Sequence, residues 1–275
     1  MARGPGVSID IDLDRVRLHA IDWPGCDPPI VLLHPNRTNA RVWDFVVAHS
    51  TLSNRFLAID HRGHGESDWP ATGYTLDDYL TDDIAVLEWL DVGSVVLAGA
   101  ATGGNIALLL ASERPDLVAA LAVLDPGLSL DPAIHAEVQE QIEHGYTYPT
   151  FEEARAAMPF TDLWTTSMRA FYASQAFRQL EDGSWAGRYL KAAAQETEAL
   201  LEEDMWDRIR VSCPTLAVRG ARSAVFDRDK LVRLGSLIND CVLAEIPRAD
   251  HRVTQDNPAV VAALLDGFVR SLSAP

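Results

Sequence analysis

Gly99-Ala100-Ala101-Thr102-Gly103-Gly104 has the spacing of a G-x-S-x-G turn, which presents a serine hydroxyl at a sharp strand-to-helix bend. Alanine stands where the hydroxyl belongs. The chemistry of such a turn is nucleophilic attack on a carbonyl, and here the frame is present without the attacking oxygen. The six residues alone also fit an ordinary strand-to-helix turn of small side chains, so their flanks decide. Residues 94–98 form a short apolar run with adjacent β-branched valines, and residues 106–111 form an apolar helical run ending before Glu113-Arg114-Pro115. Between them, glycines 99 and 103 hold the places where a side chain would collide with a neighbouring strand or helix.

The elements that must position this turn can be read along the chain. Residues 8–13 and 16–21 alternate polar with apolar around Asp14-Arg15, which predicts an antiparallel hairpin at a sheet edge. Short apolar runs follow at 30–33, 56–59, 95–98, 121–124, 215–218 and 242–246, most of them separated by helical segments. That order predicts an α/β fold with a mostly parallel, doubly wound sheet. Thr75-x-x-Asp78 predicts a capped helix whose Leu76, Leu80, Ile84 and Leu87 share a face, with Gly93 after its last turn. Asn257-Pro258 opens a final helix carrying Val260, Val261, Leu264, Leu265 and Phe268 at core-facing spacing.

Between residues 129 and 209 the strand signal vanishes, and Trp164, Met168, Phe171, Tyr172, Phe177, Trp185 and Tyr189 are concentrated there. This predicts an inserted helical lid, residues 129–209, over a core domain made of residues 1–128 and 210–275. An aromatic-rich insertion at the carboxyl ends of parallel strands lies where open α/β sheets bind ligands.

Composition narrows the partner. Twenty-three Lys and Arg against forty Asp and Glu give a net charge of −17, which opposes binding to nucleic acid or an anionic membrane. A small molecule is the expected partner, and the acidity itself reads as a solvated surface. No apolar run approaches the roughly 18 residues of a membrane span, and no N-terminal secretory pattern is visible, so a cytoplasmic protein is expected. Cys26, Cys213 and Cys241 are odd in number and far apart, as reduced thiols would be. Neither a C-x-x-C pair nor an H-E-x-x-H helix occurs, so neither metal nor cofactor is expected.

Four motifs in order, namely Leu32-Leu33-His34, the glycine-rich turn Asp60-His61-Arg62-Gly63-His64-Gly65-Glu66-Ser67, the 99–104 frame and Asp250-His251, resemble the α/β-hydrolase superfamily with a helical cap. The likeness runs from about Pro29 to Leu272, is weakest in the lid, and is greatest to small-molecule esterases, lactonases and C–C-bond hydrolases. It implies a nucleophile at position 101, His251 as general base, and an acid from one of two strand ends. The usual acid places after the strand at 215–218 hold Arg222 and Ser223. Asp125, in Leu124-Asp125-Pro126-Gly127, is the preferred acid, with Asp227 as the alternative. The resemblance also implies an oxyanion hole from the backbone N–H groups of Asn36 and Thr102. His34-Pro35 replaces the family's His-Gly, which puts that loop's geometry in question because proline has no N–H. Arg37 on the same loop is a candidate for a polar or anionic substrate group, and Trp164 of the lid for its apolar part.

The leading expectation is a hydrolase of a small, largely apolar ester or lactone in a nucleophile-lacking form. The intact frame around Ala101 favours a serine replaced by design over natural loss. Two readings stay open beside it: a cofactor-independent dioxygenase-like enzyme using a His251/Asp125 dyad, and a non-catalytic receptor that uses the lidded pocket. Oligomeric state is not readable from the sequence.

Overall fold

The structure, a computed structural model, describes residues 3–144, 146–199 and 205–272. In chain order its strands are β1 (Val7–Asp12), β2 (Arg17–Trp23), β3 (Cys26–Leu33), β4 (Asn54–Ile59), β5 (Val95–Ala100), β6 (Val118–Leu124), β7 (Thr147–Tyr148), β8 (Phe177–Gln179), β9 (Trp185–Gly187), β10 (Thr215–Gly220) and β11 (Cys241–Ile246). The helices are α1 (Asp44–His49), α2 (Leu76–Leu90), α3 (Thr102–Glu113), α4 (Pro132–His144), α5 (Phe151–Ala156), α6 (Thr166–Ala176), α7 (Lys191–Ala199), α8 (Arg228–Leu237), α9 (Val253–Asp256) and α10 (Pro258–Ser271).

Eight strands make the central sheet in the order β1-β2-β4-β3-β5-β6-β10-β11. The β1–β2 and β2–β4 pairs are antiparallel, and every pair from β4 to β11 is parallel. Alternate residues of one strand supply both faces. In β3, Ile30 and Leu32 join one core cluster while Val31 and Leu33 join the other, and β5 divides in the same way. Helices α2, α3 and α8 cover one face through residues such as Leu80, Ile106 and Leu234, and α1 and α10 cover the other through Val46 and Leu265. This two-sided burial explains why the parallel strands read as continuous apolar runs. The helix signals act locally as read: Thr75 and Asp78 form a reciprocal capping box, and Asn257 caps α10 ahead of Pro258.

The strand-to-helix bend between β5 and α3 is a backbone contact. A Cβ on Gly99 would lie 2.1 Å from the Gly103 carbonyl oxygen, and one on Gly103 would lie 2.5 Å from that of Leu33. No side chain fits at either place. Between them Ala101 adopts φ 48°, ψ −118°, a conformation that costs about 1–3 kcal/mol for a residue with a Cβ. Its N–H donates to the Leu124 carbonyl at 2.9 Å, and its own carbonyl accepts from Gly104 and Asn105, so the bend is held on both sides.

The insertion between β6 and β10 is mainly helical, as its periodicity indicates, but it also holds a three-stranded antiparallel sheet in the order β7-β9-β8. Strands of two or three residues are too short to leave an alternating pattern. The insertion rests on the glycine-rich turn: Gly65 N–H donates to the Arg188 carbonyl at 2.8 Å, and Leu190 N–H donates to that of Gly63 at 2.6 Å. Gly63 and Gly65 have φ of 72° and 56°, and a Cβ on Gly65 would meet the Asp60 carboxylate at 2.0 Å.

Two glycine substitutions are expected to act in opposite directions. Gly103→Ala should lower unfolding stability by about 2 kcal/mol or more, because backbone must move to admit the methyl. Gly267→Ala, where nothing lies within 4 Å of the new Cβ inside α10, should raise it by about 0.5–1 kcal/mol. Urea midpoints measure both, and an unchanged midpoint for Gly103→Ala contradicts the packing described for the bend.

Candidate active site

Parallel strands deliver their carboxyl ends to one edge of the sheet, and three of those ends meet. β5 ends at the bend carrying Ala101, which is 7% exposed. Thr102 then opens α3, so its N–H is one of the helix donors without an intrahelical acceptor, at the positive end of the helix dipole.

β6 ends at Asp125, whose φ of 50° turns the carboxylate across the sheet towards β10. Its N–H donates to the Val218 carbonyl at 2.7 Å. The carboxylate is fully buried and takes three donors: Gly220 N–H at 2.7 Å, Ser223 Oγ–H at 2.6 Å and His251 Nδ1–H at 2.7 Å. A carboxylate only accepts, so Nδ1 is the donor in this bond and Nε2 is the ring nitrogen left outside it. Gly220 makes this approach possible, since a Cβ there would lie 2.2 Å from the Asp250 carbonyl oxygen. Ser223, at one of the two places noted after β10, thus donates directly to the Asp125 carboxylate.

Asp227, the alternative acid, is committed elsewhere. Its carboxylate caps α8 by accepting the Lys230 N–H at 2.8 Å, as a residue opening a helix does. Trp164 is 4% exposed and its indole N–H donates to Asp256 at 2.8 Å. It packs against Phe160 and Tyr172, tying the insertion to α9, which begins directly after Arg252. The same Asp256 accepts from Thr161 and from the Asp250 N–H, which steadies the turn before His251.

The loop after β3 carries Pro35, Asn36 and Arg37. The Asn36 side chain donates to the Ala194 carbonyl of α7 at 3.1 Å and accepts from the Arg37 N–H at 2.8 Å. Arg37 has φ 59°. Beneath this loop His34, His61 and His64 cluster, with ring centroids 4.5 Å and 5.2 Å from His34. Burial drives His64 from 6.5 down to about 4, and burial with the neighbouring histidines drives His34 well below its ordinary value. The His61 N–H donates to His34 Nε2 at 3.0 Å, which requires that nitrogen unprotonated. Among the described residues no group of three or more His, Cys, Asp and Glu side chains is placed to hold a metal ion, and no helix is long and apolar enough to cross a membrane.

A strand-to-helix bend with a strained central residue, a histidine–carboxylate pair across the strand ends and a mainly helical insertion between β6 and β10 define the class of protein. Residues 30–264 match the alpha/beta hydrolase family, and the chain belongs to it. It is 27% identical over 273 residues to a 2-(acetamidomethylene)succinate hydrolase of Mesorhizobium japonicum, covering 96% of this chain and 95% of that protein. It is 30% identical over 277 residues to the esterase Rv0045c of Mycobacterium tuberculosis, covering 94% of this chain and 89% of that protein. The crystal structure of an E-2-(acetamidomethylene)succinate hydrolase superposes with a TM-score of 0.88 at 24% identity, over 96% of this chain and 99% of the other. The relatives support a hydrolase acting on small molecules.

The buried histidines give the site's foundation a pH dependence. Because the folded value of His64 lies below the unfolded one, the unfolded chain takes up the proton first as pH falls. Stability is therefore complete above about pH 6.5 and declines towards pH 4. His64 alone should contribute a loss of about 2 kcal/mol between pH 7 and pH 5. Urea unfolding at the two pH values checks this, with His64→Gln losing correspondingly less. Equal slopes for the two proteins count against it.

Proposed function

We propose that the chain is the frame of a serine-type hydrolase of a small-molecule ester or lactone, lacking its nucleophile because Ala101 replaces a serine. The observation that carries this reading is the His251–Asp125 hydrogen bond of 2.7 Å, at the same sheet edge as the strained bend at Ala101. The esterase and hydrolase relatives support the same class.

With serine at position 101, its hydroxyl oxygen attacks the substrate carbonyl carbon while His251 Nε2 takes the hydroxyl proton. Asp125 accepts from Nδ1–H throughout and stabilises the imidazolium that forms. The backbone N–H groups of Thr102 and Asn36 receive the oxyanion of the tetrahedral intermediate. Collapse releases the alcohol, which takes its proton from His251. Water then attacks the acyl group with the same histidine as base, and free acid and serine are restored. Arg37 and the lid, anchored through Trp164, bind the rest of the substrate, and no cofactor takes part.

A second reading draws on the fact that the His251–Asp125 pair is complete without residue 101. A dyad that deprotonates an activated organic substrate for reaction with O2 needs no serine, and it would consume oxygen in the chain as it stands.

Ala101→Ser separates these readings. The variant, assayed on a panel of p-nitrophenyl esters and lactones, is expected to gain turnover by several orders of magnitude, since removing a catalytic serine costs on the order of a millionfold. Adding Asp125→Asn should then reduce kcat about 10⁴-fold through the wrong histidine tautomer. A folded Ala101→Ser protein with no turnover on any panel member overturns the hydrolase reading, and oxygen uptake abolished by His251→Ala establishes the second.

A further inference from the structure

A second histidine–carboxylate pair lies where β2 meets the end of β4. Asp60, directly after β4, is 2% exposed. Its carboxylate accepts the Ala40 N–H at 2.6 Å on one oxygen, and the Glu66 N–H at 3.0 Å and His19 Nδ1–H at 2.8 Å on the other. His19, on β2, is 8% exposed, and with Nδ1 turned to Asp60 its Nε2 is the ring nitrogen left over. That Nε2 has no partner among the described residues and is not among the unpartnered atoms sealed inside the protein. His19 and Asp60 line a cavity of about 190 Å³, together with Arg41 from the short 3-10 helix after β3 and Arg188 and Glu66 from either side of the joint with the insertion. An open imidazole nitrogen on a nine-tenths buried side chain therefore faces a polar cavity.

The groups around this cavity specify what fits. Arg41 donates from Nη1 to Asp44 at 3.3 Å, and its Nε and Nη2 take no partner among the described residues. Arg188 uses Nε on the Phe177 carbonyl at 3.1 Å and Nη1 on Glu66, which leaves Nη2. The two acids of the wall are engaged, Asp60 by its three donors and Glu66 by Arg188. A planar guanidinium with donors to spare fits a carboxylate. His19 Nε2, with the ring proton on Nδ1, is an acceptor and fits a hydroxyl. A cavity of about 190 Å³ equals roughly six water molecules at about 30 Å³ each, so the ligand has about six non-hydrogen atoms. In the sheet, β3 separates β2 and β4 from β5 and β6, whose ends carry Ala101 and Asp125, so this place is distinct from the reaction centre.

We propose that this cavity is a second binding site, for a small 2-hydroxycarboxylate whose carboxylate meets Arg41 and Arg188 and whose hydroxyl donates to His19 Nε2. The site does not depend on residue 101 or on the hydrolase reading. Arg188 belongs to the insertion while His19 and Arg41 belong to the core, so the bound ligand bridges the two and holds the insertion on its seat. Binding to the folded chain alone also raises its stability.

Calorimetric titration of the chain as it stands with racemic lactate, propionate, propane-1,2-diol and inorganic phosphate separates the two contacts. Propionate lacks the hydroxyl, the diol lacks the carboxylate, and phosphate is a simple anion. Lactate is expected to bind at least about tenfold more tightly than each of the others and to raise the melting temperature. Arg41→Gln should weaken lactate binding about tenfold or more, and Arg41→Lys, which keeps the charge and loses the fork, should fall between. His19→Phe should erase the preference for lactate over propionate. Melting temperatures without ligand report whether each variant folds, and the ligand series in the unaltered chain decides the matter should His19→Phe unfold. His251→Ala, at the reaction centre, should leave lactate binding unchanged. No saturable lactate binding at millimolar concentration, propionate or phosphate binding as tight as lactate, a folded Arg41→Gln protein with unchanged affinity, or loss of lactate binding in His251→Ala overturns the site. None of these outcomes bears on turnover by an Ala101→Ser protein, so the site and the hydrolase reading fail separately.

Discussion

One buried carboxylate joins the parts of this molecule that matter at the sheet edge. Asp125 ends β6, hydrogen-bonds the backbone at the end of β10, and holds the imidazole of a loop 126 residues further along the chain. A charge with no exposure to water is tolerable only because donors surround it. Those donors are a glycine N–H, a serine hydroxyl and a histidine, so the electrostatic need of Asp125 also fixes where His251 stands. Gly220 completes the constraint, because the loop bringing His251 passes so close that no Cβ is admitted.

The bend at Ala101 is fixed by a different force. Backbone atoms of β3, β5 and α3 touch directly, and the glycines at 99 and 103 are steric requirements. Position 101 is then held in an unfavourable conformation by its neighbours, whatever side chain it bears. The acid–histidine pair is thus held by charge and hydrogen bonding and the bend by excluded volume, with both referred to the same parallel strands.

Much of this was readable from sequence where the signal is local. Strand runs reflect burial on both faces, caps reflect unpaired helix donors, and Gly99 reflects its contact with Gly103, although Gly103 itself is required by β3. Asp125 and His251 could be proposed as strand-end residues, but their meeting depends on a contact across 126 positions that no periodicity encodes. Ser223 was visible only as the residue occupying a usual acid position; its bond to Asp125 needs the fold. Trp164 and Asp227 differ in the reach of their bonds, since the indole of Trp164 meets Asp256 across the fold while Asp227 caps α8 through the nearby Lys230 N–H. The lid strands β7–β9 were too short to register.

The joint between lid and core has a consequence for how this protein can change. Gly65 and Leu190 donate main-chain N–H groups to the facing carbonyls of Arg188 and Gly63, the pair of bonds that bridges His64 and Tyr189. Such bonds do not depend on which side chains the insertion carries. Apart from side-chain ties such as Trp164 to Asp256, residues of the insertion can therefore be exchanged without loosening this joint.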